Sequence, residues 1–200
     1  MMNTPNFYND APKITLHDPL AEFLGAAEKG IIEYGYLDAV KLAGHSCPTV
    51  AGAYLMTCKA LTELYADELP VRGAIKAEFR DGQADGVTGV IANVVGLLTG
   101  AAQSGGFKGI GGKFDRRNLL HFNAGIDGDI RFTRIDTGAS VETTYHPELV
   151  PPPPGMKELM PKTMAGIAST EEKKEFGQLW QDRVKRILLG NADLVTVTGG

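Results

Sequence analysis

Apolar residues recur along this chain with two periods. At spacings of three and four, Val50, Tyr54, Cys58, Leu61 and Tyr65 share one face, which predicts a helix from Pro48 to about Ala66. Val87 to Thr99 reads as a second, buried helix whose small residues Gly89, Ala92 and Gly96 permit close packing. Phe176, Leu179, Trp180, Val184, Ile187 and Leu188 form a third helical face. Ser169 and Glu172 open that helix as a capping box and Gly190 ends it. Asp18 caps a shorter helix with Pro19 at its first position. Leu20, Phe23, Leu24 and Ala27 form its stripe, and Gly30 ends it.

The second period is two. Between Gly73 and Arg80, Ile75, Ala77 and Phe79 oppose Ala74, Lys76, Glu78 and Arg80, the pattern of a half-buried strand. Asn118–Asn123, Asp129–Ile135 and Ser140–Tyr145 read as three more strands, joined by turn signals into an antiparallel meander. Tyr36–Leu42 reads as a strand or turn. Met1–Ile14 reads as an arm partly ordered on a partner chain, and Leu194–Gly200 as a short strand-like tail. The expected fold is α+β, a mixed sheet of about four or five strands flanked by helices with a C-terminal helical extension. Pro151–Pro154 marks the end of a core domain over residues 1–150. Residues 151–200 then hold a proline-rich linker and a helix that packs on the core or on a dimer partner.

A chain of 200 residues, 43% hydrophobic and 22% charged, is long enough and apolar enough for an ordinary globular core. The net charge of −4 and the lack of a basic run exclude a nucleic-acid surface. Gly89, Asn93, Gly96 and Thr99 interrupt the longest apolar run, so no membrane span is expected. Met1–Lys13 has no apolar stretch of the kind a secretory signal needs. Cys47 and Cys58 stand roughly 16 Å apart on one helix, too far for a disulfide. A reducing compartment, the cytoplasm, is the expectation.

The candidate chemistry lies in Ala43-Gly44-His45-Ser46-Cys47-Pro48. Pro48 suits the first helical position, which puts Ser46 or Cys47 at the cap beside free backbone donors and the positive end of the helix dipole. Both effects favour a thiolate at Cys47. His45 and Cys47 can then bind a transition metal such as zinc, or act as base and nucleophile of a thiol-dependent enzyme. The loop Gly105–Lys113 follows a helix and lacks Gly-Lys-Ser/Thr order, so it is no Walker loop. Its Gly109, Gly111, Gly112 and Lys113 are candidates to cradle an anion or a cofactor carboxylate.

Gly44-His45-x-Cys47-Pro48, followed by Gly52 and an apolar helix, resembles the FmdE-like domain family, which takes its name from formylmethanofuran dehydrogenase. Ala43 stands at the position of the family's first histidine, and Thr49 at that of the glycine after the proline. The resemblance implies a compact metal-binding domain that commonly dimerises. It also implies an accessory or redox role beside a larger oxidoreductase, in one-carbon metabolism. His121, on an expected strand, is the third candidate ligand. Asp85 reads as a ligand or a helix cap, Cys58 as a core cysteine, and His17 and His146 as exposed. Relative to the family the chain has lost thiols, and a second cofactor fits that loss. Cys-Pro can hold haem iron, with His45 or His121 as axial ligand, the glycine-rich segment as a flat wall, and Lys113, Arg116 or Arg117 at the propionates. No complete catalytic set is visible, so whether the chain is an enzyme stays open.

Overall fold

The computed structural model describes residues 4–190 and 192–199. Met1 to Asn3 of the expected arm and Gly200 of the expected tail lie outside them. A single 3-10 turn at Asn6–Asn9 precedes strand β1 (Ile14–His17). The arm packs on its own chain. Tyr8 is buried in the main core, and its ring meets Tyr36 edge-on at 5.2 Å.

Helix α1 (Pro19–Phe23) starts as its sequence predicts, with Asp18 Oδ1 accepting from the N–H groups of Leu20 and Ala21 at 3.0 and 3.1 Å. It ends early. Gly25 turns the chain at φ 68°, and Phe23 and Leu24 stay exposed, so the expected stripe has no layer to bury against. Strand β2 (Ile31–Tyr34) pairs antiparallel with β1 in a separate two-stranded sheet.

Tyr36–Ala43 is a helix, α2, and not the expected strand or turn. Tyr36, Ala39 and Val40 are its buried residues, a three-and-four spacing too short to stand out in the sequence. Asp38 accepts from the Gly35 N–H at its start, and Gly44 closes it in the left-handed conformation at φ 75°. Helix α3 (Pro48–Tyr65) follows and is the centre of the molecule. Every residue from Val50 to Cys58 is buried, well beyond the single face that the spacing predicts. It packs against α2 on one flank and against five later elements on the others.

Strand β3 (Ile75–Phe79) buries Ile75, Ala77 and Phe79 as expected. Helix α4 (Thr88–Thr99) then returns along α3 and leads to the short strand β4 (Leu120–His121). β4 pairs parallel with β3, which needs a crossover, and α4 supplies it. The segment around residues 118–123 is therefore not the first strand of a meander, because it lies on the far side of β3. The meander is made of β5 (Ile130–Arg134), β6 (Ser140–Tyr145) and a strand from the chain's end. Helices α5 (Met156–Met164) and α6 (Thr170–Leu189) precede that strand, β7 (Val195–Gly199), which pairs with β6. The sheet order is β4-β3-β5-β6-β7, mixed in direction, and the fold is α+β. The capping box at Ser169 and Glu172 starts α6, which lays Val184, Ile187 and Leu188 into the same core as α3.

One buried ion cluster ties the outer sheet to the core. Asp18, with 4% of its side chain exposed, meets Arg72 at 2.9 Å and Arg116 at 2.6 Å. Burial alone would raise this carboxyl. The Ala21 amide and the two guanidinium groups outweigh it and hold Asp18 below the ordinary carboxylate range. A depressed folded-state value means that the stabilisation is present above the ordinary carboxyl pKa and is lost as pH falls through the folded one. Asp18→Asn leaves two buried cations without their anion and is expected to cost about 3 kcal/mol. Urea unfolding at neutral pH measures this loss. The gap between wild type and variant should shrink as the pH is lowered into the acid range.

Candidate functional site

The start of α3 carries the chemistry. Cys47 is the N-cap residue, in extended backbone, and its Sγ accepts from the Val50 N–H at 3.4 Å. Pro48 occupies the first helical position, as the sequence predicts. The thiol is half-buried.

Four elements hold this turn in place. The Ser46 carbonyl accepts from Trp180 Nε1 at 3.0 Å and from Gln181 Nε2 at 3.2 Å, both on α6. Ser46 Oγ and the Tyr36 hydroxyl of α2 are 2.9 Å apart. Tyr8 of the arm donates to Gln181 Oε1 at 3.0 Å, and Tyr145 of β6 donates to the Pro48 carbonyl at 2.9 Å. The Tyr145 ring crosses α3 at Gly52, where a Cβ would stand 2.5 Å from its Cε1. The glycine thus marks the close approach of the Tyr145 side chain. Burial pushes the Tyr36 and Tyr145 hydroxyls above the usual phenol value, and nearby Cys47 adds to the rise, so both phenols stay neutral donors.

His45 is exposed, on the turn after Gly44, with Nδ1 2.9 Å from the Ala43 carbonyl. A carbonyl can only accept, so Nδ1 carries a proton and donates it there.

The remaining sequence candidates lie elsewhere. Arg134 bonds the Leu64 carbonyl near the end of α3 and pairs with Ile75 at the start of β3. Gly73 bonds Thr99 at the end of α4, and Ala102 bonds Arg116. Gly109, Gly111, Gly112 and Lys113 therefore belong to the end of α3 opposite Cys47, about 27 Å along the helix axis. Ile110 and Lys113 close a tight turn over Gly111 and Gly112, whose φ values are 56° and 79°. That turn type requires positive φ at both positions. His121 is exposed on edge strand β4, with Nε2 2.9 Å from the Asn118 carbonyl. Three strand spacings, about 14 Å, separate β4 from β6, which carries Tyr145 to the Cys47 turn. Asp85 accepts from the Gly82 N–H and caps a turn, while Val87 is the N-cap residue of α4. His17 and His146 are half-buried beside Glu22 and Glu148. Cys58 is buried, and burial pushes its thiol up to about 12.

Among the described residues, no three of His, Cys, Asp and Glu gather where they could hold a metal ion. The Cys47 turn offers two donors, Sγ and His45 Nε2. Two donors cannot by themselves make a closed four-ligand zinc site. Sequence reasoning missed Tyr8, Tyr36, Tyr145, Trp180 and Gln181. The bonds of Tyr145, Trp180 and Gln181 to this turn span 97 to 135 residues, that of Tyr8 to Gln181 spans 173, and even the 10 between Tyr36 and Ser46 form no local motif.

Fold and site together define an α+β domain that presents one thiol at the start of its central helix. The chain belongs to the FmdE family: the family model described as FmdE, Molybdenum formylmethanofuran dehydrogenase operon, matches residues 42–196. The match begins just before the His45–Pro48 turn and ends inside β7. No curated protein matches the chain. Among the described residues, no helix is long and apolar enough to cross a membrane.

The two thiols should react differently. Iodoacetamide on the folded protein near neutral pH is expected to add one label, at Cys47, by peptide mass mapping. Cys58 should take a second label only after unfolding, because the thiolate is the reactive form.

Proposed function

We propose that this chain is a metal-binding accessory protein of a dehydrogenase system, with His45 and Cys47 as an open two-donor site for zinc or another transition metal. The observation that carries this reading is the His45 Nδ1–Ala43 carbonyl bond. Ligating histidines characteristically donate their second ring N–H to a carbonyl or carboxylate, which fixes the tautomer and aims the other nitrogen at the metal. Cys47 supplies a sulfur donor of the kind that a soft or borderline ion prefers. Two donors leave positions to be filled from outside, by a second copy in a homodimer, by a larger oxidoreductase, or by water. An open position suits a protein that acts beside an enzyme in the cytoplasm and has no turnover alone.

A second reading, haem held through Cys47 or His45, has one observation in its favour. An apolar groove of about 410 Å³ between α5 and α6 is walled by Met160, Met164, Phe176 and Trp180. Trp180 also bonds the Ser46 carbonyl, so the groove adjoins the Cys47 turn. The glycine-rich loop has no part in that arrangement.

Cobalt(II) titration separates the readings. Thiolate-to-cobalt charge-transfer absorption should appear with wild type, vanish with Cys47→Ser, and need about tenfold more cobalt with His45→Ala. No such band in wild type would remove the metal reading. An intense porphyrin spectrum after haem addition, lost with Cys47→Ser, would favour the second.

A further inference from the structure

A cavity of about 200 Å³ lies at the other end of the molecule, between α1, the entry to β3 and the end of the glycine-rich loop. Arg72 and Arg116 line it, together with Leu20, Val71, Ala74 and Phe114. The two arginines differ in how well they are satisfied. Arg72 donates Nε and Nη2 to the Leu97 carbonyl and Nη1 to Asp18. Among the described residues, Arg116 makes one side-chain hydrogen bond, from Nη2 to Asp18 Oδ1. Its Nε–H is fully buried with no acceptor, although only 11% of the side chain is exposed. A guanidinium taken out of water ordinarily fills its planar fork with a two-oxygen acceptor. Leaving a charged donor unpaired costs more than leaving a neutral one.

The charges do not balance either. Two buried arginines share the one carboxylate of Asp18. Asp115, at the rim, is already paired with Arg117 at 2.6 Å. The cluster therefore carries one uncompensated positive charge. Backbone is drawn in close around the guanidinium. A Cβ at Gly73 would stand 3.2 Å from Arg116 Nε, and one at Gly100 would stand 3.1 Å from Nη1. Both glycines hold positive φ, so neither position readily takes a side chain.

We infer that this cavity is a binding site for a small monocarboxylate. Its carboxylate would accept from Arg116, whose Nε–H is closed off in this structure and would have to turn to face the cavity, and its short hydrocarbon part would lie on Leu20, Val71 and Phe114. One surplus charge calls for a monoanion, the planar fork selects a carboxylate, and the volume limits the tail to a few carbons. The site is independent of the Cys47 turn.

Propionate is the probe, with propionamide as its neutral isostere and sodium chloride at equal ionic strength as the salt control. Thermal unfolding of the full chain is the readout, since a ligand that binds the native state raises the melting temperature. Two variants avoid breaking the ion cluster. Arg116→Lys keeps the charge beside Asp18 and loses the fork, and Ala74→Leu fills the cavity without touching a charge. Propionate at about 100 mM should raise the melting temperature of wild type, propionamide and chloride should not, and both variants should lose most of the shift. In calorimetry, Arg116→Lys should bind propionate about tenfold more weakly. An equal shift with propionamide would make the cavity merely apolar, and an equal shift with chloride would make the effect one of salt. Either result overturns the assignment, as does a full shift in both variants or no shift in wild type.

Discussion

Enclosure of α3 around its whole circumference dictates how the other elements are arranged. A helix buried from Val50 to Cys58 has its backbone groups satisfied internally except at its ends. Its first turn must therefore find partners where four elements converge. Cys47 supplies one acceptor for the orphan N–H groups, and Tyr145 donates to the Pro48 carbonyl. Trp180, Gln181 and Tyr36 engage Ser46 just outside the helix. The packing that makes α3 the core also makes its N-terminus rigid, and the thiol is carried on that rigid point. The small residues along the helix, Ala51, Gly52, Ala53 and Ala60, let neighbours approach closely enough for this.

The same geometry separates two kinds of chemistry. At the start of α3, a thiol and an imidazole sit on a turn held by neutral phenols, an indole and an amide. At its far end, a buried carboxylate and two guanidinium groups organise the approach to β3 and the glycine-rich loop. The two ends share no side chain, so the glycine-rich loop and the Cys-Pro turn need not serve a common ligand. Positive φ at Gly111 and Gly112 is fully used in making the turn. Glycine density alone could not reveal this, because a turn and a ligand cradle draw on the same backbone freedom.

Much of the scaffold was legible in the sequence. The starts of α1, α3 and α6, the alternation in β3, the hairpin of β5 and β6 and the strand content of β7 all follow from neighbours within a few residues. Capping bonds span two or three positions, and side-chain period is a local property, so each leaves its mark in the chain. The failures are as physical. Tyr36–Ala43 is only eight residues long, too short for its helical spacing to register. Leu120–His121 has the composition of a strand, but its partner is chosen by the α4 crossover and not by its own residues. The α1 stripe ends early because no layer covers it.

For the site, local residues place the cap to within one position: proline at the first helical position puts Ser46 or Cys47 among free N–H groups, with His45 just before them, and the structure selects Cys47. Which other donors reach that turn is a matter of packing. Packing set His121 at the far edge of the sheet and Gly109–Lys113 at the opposite end of α3. It brought Trp180 and Gln181 to Ser46, and Arg116 to Asp18. Those last contacts join residues 98 to 135 positions apart. Such pairs are selected by how helices and strands stack, a property of the assembled core that no local pattern of residues encodes.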